Sequence, residues 1–224
     1  DDCESLLLTC LVEEPAGLLS GLCLNCGAPV SGIRAERCEA TGLLPCAQCA
    51  GSSTPFTRIL APYRYEFPVD HLVQSLKYRE QRVLGRILGT LLARTVRRQR
   101  QPGQALPEWL LPVPLHVSRL RQRGYNQSAD IARWCARDLG IESRSRAVRR
   151  EYDTGSLAGL SRAERQYRIL GAFRAQEQVA GKHVAIVDDV LTTGSTAREL
   201  ARELYDTGAV SVELWVLART SSSR

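Results

Sequence analysis

Residues 184–196, Val-Ala-Ile-Val-Asp-Asp-Val-Leu-Thr-Thr-Gly-Ser-Thr, constrain the fold of this chain more than any other stretch. Val184, Ala185, Ile186 and Val187 run without a polar alternate, which is the pattern of a strand buried on both faces. Such strands belong to parallel sheets covered by helices. Asp188 and Asp189 follow where the strand should end. Beyond them Ala197, Leu200, Ala201 and Leu204 recur at helical spacing, so the hydroxyl-rich turn of Thr192, Thr193, Gly194, Ser195 and Thr196 opens a helix. That turn suits a phosphate. Gly194 lets the backbone come close, the first amides of a helix have no internal partner, and the helix dipole favours an anion. The plainer alternative is a capped strand–turn–helix that binds nothing.

Two carboxylates would repel a phosphate, but they accept hydrogen bonds from the hydroxyls of a neutral polyol. Carboxylates for hydroxyls and amides for a phosphate together describe a ribose 5-phosphate. The stretch resembles the phosphoribosyl diphosphate (PRPP) motif of type I phosphoribosyltransferases: four apolar residues, an acid pair, then Thr-Gly-x-Thr. The resemblance implies that Asp188 and Asp189 hold the 2′ and 3′ hydroxyls and that residues 192–196 hold the 5′-phosphate.

The chain has 224 residues, enough for one α/β domain and a small accessory module. Seven of its 8 cysteines fall within the first 49 residues. Cys23 and Cys26, then Cys46 and Cys49, form two pairs spaced to reach one tetrahedral zinc. The segment between them has too few large apolar side chains to fold without a staple. Four thiolates leave no open position, so a zinc ion there is structural. A disulfide-bonded secreted module is the rival reading; reduced thiols in a cytoplasmic chain favour the metal. Cys38 is a substitute ligand or a spare. Cys3 and Cys10 resemble the remains of another knuckle whose start is missing, so the module reads as N-terminally truncated. A linker at 51–55 divides a zinc-ribbon module, 1–52, from the main domain, 53–224.

Within the main domain, residues 57–65 alternate as a strand or hairpin. Apolar residues from Leu72 to Val96 follow helical spacing, and a break near 78–81 divides them into two helices. Lys77 and Tyr78 stand at that break, as site residues or as a surface lysine and a packed ring. Leu110-Leu111-Pro112-Val113-Pro114-Leu115 reads as a short strand, because proline is unwelcome in a central one. The loop expected next holds Arg119, Arg121 and Arg123, and a helix carrying Ile131, Cys135 and Leu139 follows. Strand, basic loop and helix make a second anion site, with a diphosphate as its natural occupant. A solvated loop face is the alternative. Residues 210–217 alternate into a last strand.

Pro112-Val113-Pro114-Leu115-His116 and then Arg119-Leu120-Arg121-Gln122-Arg123-Gly124-Tyr125-Asn126-Gln127 resemble the signature of the ComF/GntX family. The resemblance runs from about 22 to 219 and takes in the cysteine pairs, Lys77-Tyr78 and the acid-pair motif together. It implies a type I phosphoribosyltransferase-like α/β domain, a parallel sheet flanked by helices, behind an N-terminal zinc-ribbon module. Lys77, Arg119, Arg121 and Arg123 then join the PRPP site. Residues 144–174 resemble a mobile loop that closes over the diphosphate, with Arg162 or Arg165 as the closing cation. Asp188, Asp189 and Arg165 are the candidates for chemistry. The chain keeps Thr154, Leu160, Ser161, Arg165, Ala172 and Phe173 of that loop. It departs at Leu157, where the family has Gln, and at Arg168, where it has Asn. The loss of that polar pair weakens the case for catalysis more than the case for binding.

Two functions follow as expectations. The family resemblance implies a role in DNA uptake during natural transformation, with single-stranded DNA as partner; GntX-like relatives point instead to nutrient use. The alternative is an active transferase in nucleoside metabolism, moving ribose 5-phosphate from PRPP, with magnesium, to a nitrogenous base. A third reading makes the fold an inert scaffold whose zinc module recruits a protein. The net charge of +6 suits nucleic acid, since all but Lys77 and Lys182 of the 30 basic residues are arginine, although a general preference for arginine explains it equally well. No apolar run approaches the roughly 20 residues that span a bilayer, and a cytoplasmic location is expected.

Overall fold

In a computed structural model, described for residues 54–79, 81–100, 103–155 and 162–220, the main domain is built on one parallel sheet. The cysteine pairs Cys23/Cys26 and Cys46/Cys49, with Cys3, Cys10 and Cys38, lie outside the described residues.

The sheet runs β1 (Arg58–Leu60), β8 (Ser211–Arg219), β7 (His183–Leu191), β3 (Trp109–Pro112) and β4 (Glu142–Ser143), and β2 (Tyr63–Arg64) also pairs with β8. Every pairing in it is parallel. Residues 57–65 therefore form no hairpin: β1 and β2 are two short pieces laid along the same neighbour. Pro62, which has no N–H to give a ladder, separates them.

Helices cover both faces. Side chains alternate along β7, with Ala185 and Val187 facing one cluster and Val184 and Ile186 the other. The first cluster is closed by α1 (Val69–Tyr78), α2 (Val83–Gln99) and α4 (Gln127–Leu139). The second is closed by α5 (Arg162–Ile169), α6 (Ser195–Asp206) and an antiparallel ribbon of β5 (Val148–Arg150) and β6 (Phe173–Ala175). Glu199 and Glu203, one turn apart on α6, accept hydrogen bonds from Gly171 N at 2.6 Å and Ala175 N at 2.9 Å. These bonds fix the ribbon to the helix that starts at the hydroxyl-rich turn.

Residues 117–123 are helical where the sequence suggested a loop. The helix, α3 (Val117–Arg123), is held at both ends. His116 has extended backbone and its Nδ1 accepts from Ser118 N at 3.3 Å, while Gly124, at φ 78°, sends its N–H back to Leu120 O. The flanking prolines hid this helix, because its own seven residues carry no buried stripe.

Beneath the sheet, Glu213 is buried at 3% exposure. Its carboxylate takes Arg100 Nη2 at 2.8 Å, His183 Nε2 at 3.1 Å and Trp215 Nε1 at 2.7 Å. Burial alone would raise its pKa, but these bonds outweigh it and hold the carboxyl below the usual range. The network ties the start of β7, the end of α2 and the middle of the sheet together.

Candidate active site

The chain leaves β3 toward β4 and leaves β7 toward β8, so the crevice beyond the carboxyl ends of β3 and β7 is the point where the strand order reverses. Open α/β sheets bind ligands there. Asp188 and Asp189 stand at that end of β7, and Pro112, the last residue of β3, pairs with Val187 just before them.

Consecutive strand residues point to opposite faces, and the two acids find different partners. Asp189, 4% exposed, lies with Oδ2 3.0 Å from Lys77 Nζ. Lys77 shares the stripe of α1 that carries the buried Val69, Val73 and Leu76, which delivers its ammonium to the acid pair. Burial lowers the proton affinity of Lys77, but Asp189 and then Asp188 outweigh it, and the net shift is upward. Asp188 Oδ1 accepts from Ser128 Oγ and from Asp189 N, each at 2.9 Å. Burial and the adjacent Asp189 push the Asp188 carboxyl up to about 7, against the opposing pull of Lys77 and these hydrogen bonds.

The hydroxyl-rich turn follows directly. Gly194 sits at φ 72° as the N-cap of α6, and no side chain caps the helix there. Thr193 Oγ1 and Ser195 Oγ are 3.0 Å apart, Thr192 is exposed, and Thr193 and Thr196 are half-buried. The first amides of α6 thus face a turn of hydroxyls, an arrangement fit for a phosphate.

Arg119 and Arg123 lie one turn apart on α3. They line a cavity of about 540 Å³ together with Lys77, Tyr78, Ser118, Gln122, Tyr125 and Asp153. Arg123 stacks 5.3 Å from the Tyr78 ring centre and donates to Gln127 Oε1 at 2.6 Å. Asp153 accepts from Ser118 Oγ at 2.5 Å and from Gly155 N at 2.9 Å, and lies 3.8 Å from Arg119. Arg121 is exposed and does not line this cavity, because two residues on a helix turn a side chain nearly to the opposite face. Arg162 and Arg165 belong to α5, which packs on α6.

Two contributors were not singled out by sequence. Ser128 orients Asp188 from the first turn of α4. Arg150, 8% exposed on β5, donates to Thr154 Oγ1 and lies over the Phe173 ring at 5.9 Å. Burial and the neighbouring Arg119 lower its pKa, against Asp153 and Asp188 on the other side of the balance. The strand explains it: Arg149 points out to Glu151 at 2.9 Å while its neighbour Arg150 points in.

Residues 128–224 match the phosphoribosyl transferase domain family. The DNA utilization protein YhgH of Escherichia coli (strain K12) is 34% identical over 200 residues, 89% of this chain and 84% of its own. Competence protein F of Haemophilus influenzae is 33% identical over 178 residues, 78% of each chain. The solved structure of the allosteric regulatory enzyme of purine biosynthesis is similar at 22% identity and TM-score 0.40, over 59% of this chain and 25% of that longer one.

Proposed function

This chain belongs to the ComF/GntX family of competence protein F and the DNA utilization proteins, and from that premise we propose that it binds PRPP and serves the uptake or use of DNA. One observation carries the ligand: the acid pair at the end of β7 is followed within a turn by the uncapped start of α6, and Lys77, 3.0 Å from Asp189, also lines a cavity with Arg119 and Arg123. Asp188 and Asp189 accept from the ribose 2′ and 3′ hydroxyls. The turn from Thr192 to Thr196 takes the 5′-phosphate. Arg119 and Arg123 meet the diphosphate, and Arg121 adds to the positive field from the outer side of α3. Lys77 takes part by holding the negative charge of Asp189 in place. Arg162 or Arg165 closes over the diphosphate.

Calorimetric titration with PRPP tests this site. Saturable binding that is lost when Asp188→Asn and Asp189→Asn are combined is the expected result. Equal affinity in the double variant refutes the assignment.

Transfer to a nitrogenous base is the second reading. The observation that favours it is the place of Asp188 at the end of β7, where Ser128 and the Asp189 amide orient its carboxyl and burial beside Asp189 raises its proton affinity, as suits a group that takes a proton from an acceptor nitrogen. In that reaction the bond from the anomeric carbon to diphosphate breaks, a carbon–nitrogen bond forms, and the arginines stabilise the departing charge. Diphosphate release across a panel of bases supports it, and silence across the panel removes it.

Magnesium fits only in company with the diphosphate. Among the described residues no three His, Cys, Asp or Glu side chains gather to hold a metal, so ligand oxygens must complete its shell. Zinc is proposed for Cys23, Cys26, Cys46 and Cys49 from their spacing alone. Elemental analysis giving zinc in the purified chain, lost on Cys23→Ser with Cys46→Ser, is the expected result. Single-stranded DNA is the proposed macromolecular partner and the cytoplasm the proposed location. Among the described residues no helix is long and apolar enough to cross a membrane.

A further inference from the structure

Helices α2 and α4 pack along a seam whose outer side carries more positive charge than the fold uses. Gly85 and Gly89 bring them close: a Cβ on Gly89 would lie 2.6 Å from Ile131 O and 2.8 Å from Trp134 Cβ. Polar contacts follow the seam at four-residue intervals on α2. Arg82 forks onto Asp130 at 2.9 and 3.0 Å, Arg86 lies over the Trp134 ring at 5.6 Å, and Thr90 donates to Asp138 at 2.7 Å. From α4 itself, Arg133 and Arg137 also approach the Trp134 ring, at 5.4 and 4.1 Å.

Three exposed guanidiniums thus surround one half-buried indole. The seam has two carboxylates, Asp130 and Asp138, for Arg82, Arg86, Arg97, Arg133 and Arg137. Asp130 is shared by Arg82 and Arg133, and Arg137 is paired with Asp138. The surplus of cation is a property of this face, not of its internal pairing. A membrane is a poor match, since Val83 is the only large apolar side chain on α2 or α4 that is strongly exposed. A single nucleic-acid strand offers what the face lacks: phosphates for the arginines and flat bases for an indole flanked by cations.

We infer that the outer side of the α2–α4 seam, centred on Trp134 with Arg86, Arg133 and Arg137, is where single-stranded DNA lies on this protein. The inference rests on the DNA-handling reading above and gives it a surface. Ser128, which bonds Asp188, lies six residues before Trp134 on the same helix, about 9 Å along its axis.

The test is fluorescence anisotropy of a labelled oligothymidylate with the full chain, titrated against salt. Wild type is expected to bind with a steep salt dependence. The combined variant Arg86→Gln, Arg133→Gln, Arg137→Gln should bind at least about tenfold more weakly, with a log–log salt slope flatter by about 2. Trp134→Leu should weaken binding and leave the slope unchanged. Arg86→Glu makes the same test without touching a carboxylate partner, should the triple variant fold poorly. If wild type binds and the arginine and tryptophan variants bind equally well, this face is not the interface, although the DNA-handling reading stands. If wild type binds no oligonucleotide at low salt, that reading falls and the inference falls with it.

Discussion

Lys77, in the last turn of α1, places its ammonium 3.0 Å from the buried Asp189 carboxylate at the end of β7. Two adjacent acids, one buried and one half-buried, are tolerable because a cation is delivered to one of them. Replacing Lys77 with Met leaves a buried charge unpaired, which costs about 3 kcal/mol in comparable pairs. Urea unfolding at pH 8 should show a loss of that order, shrinking at pH 5 as the acid pair takes up a proton. A loss below about 0.5 kcal/mol at pH 8 would mean that the pair is solvated and carries little.

The Asp188 carboxyl is raised from 3.8 to about 7, so between those values the folded protein binds more protons than the unfolded chain. Stability from this group is present below the unfolded value and is lost as pH rises through 7. Wild type should therefore lose stability between pH 4 and pH 8 that Asp188→Asn does not lose, by at least about 1.4 kcal/mol, the worth of a tenfold change in proton affinity. Ribose hydroxyls need the ionised form, so PRPP affinity should rise over the same range. Parallel stability curves for the two proteins would contradict the raised value.

Glu213 has the opposite sign. Its pKa is lowered in the fold, so its contribution is present above the unfolded value and disappears as pH falls through the folded one. Glu213→Ala leaves Arg100 buried without its acid and should destabilise by about 3–5 kcal/mol. Glu213→Gln should flatten the acid limb of the stability profile. Thermal melts from pH 3 to pH 6 decide it; an unchanged acid limb in the Gln variant would show that another group controls acid unfolding.

Gly194 combines φ 72° with the start of α6. A Cβ there would come within 3.3 Å of Leu191 Cδ1, a side-chain end that can yield, so the cost lies in the backbone. Gly194→Ala should lose about 1–2 kcal/mol of stability. It should also weaken PRPP binding, because relief of the strain turns the first amides away from the phosphate. An alanine variant that binds and melts as wild type would show that those amides do not hold the phosphate.

Much of this arrangement was legible in the sequence, and the remainder was hidden for identifiable reasons. The strand–acid pair–helix order was readable because Val184 to Val187 admit only a buried strand and Gly194 marks the turn. Lys77 was readable only through the family resemblance, since its place at the end of α1 fitted a surface lysine equally well. Arg150 was not: beside Arg149 it is one of many arginines, and only the register of β5 with β6 decides which of the two turns inward. Ser128 was missed because its partner lies 60 residues away. The α3 helix was missed because its ends are fixed by single caps and its side chains form no buried stripe. Local pattern reports burial well, but it does not report which polar group a neighbouring element will supply.

β8 follows every other strand among the described residues, yet it lies between β7 and β1. Thr57, just before β1, bonds to Val212 across 155 residues. During translation the first strands therefore emerge from the ribosome long before their neighbour exists. A nascent chain stalled ahead of Ser211 presents two bare ladder edges, which are templates for pairing with other chains. Shielding those edges until β8 has been made would therefore favour maturation, and slow codons just ahead of Ser211 would lengthen the period of greatest exposure.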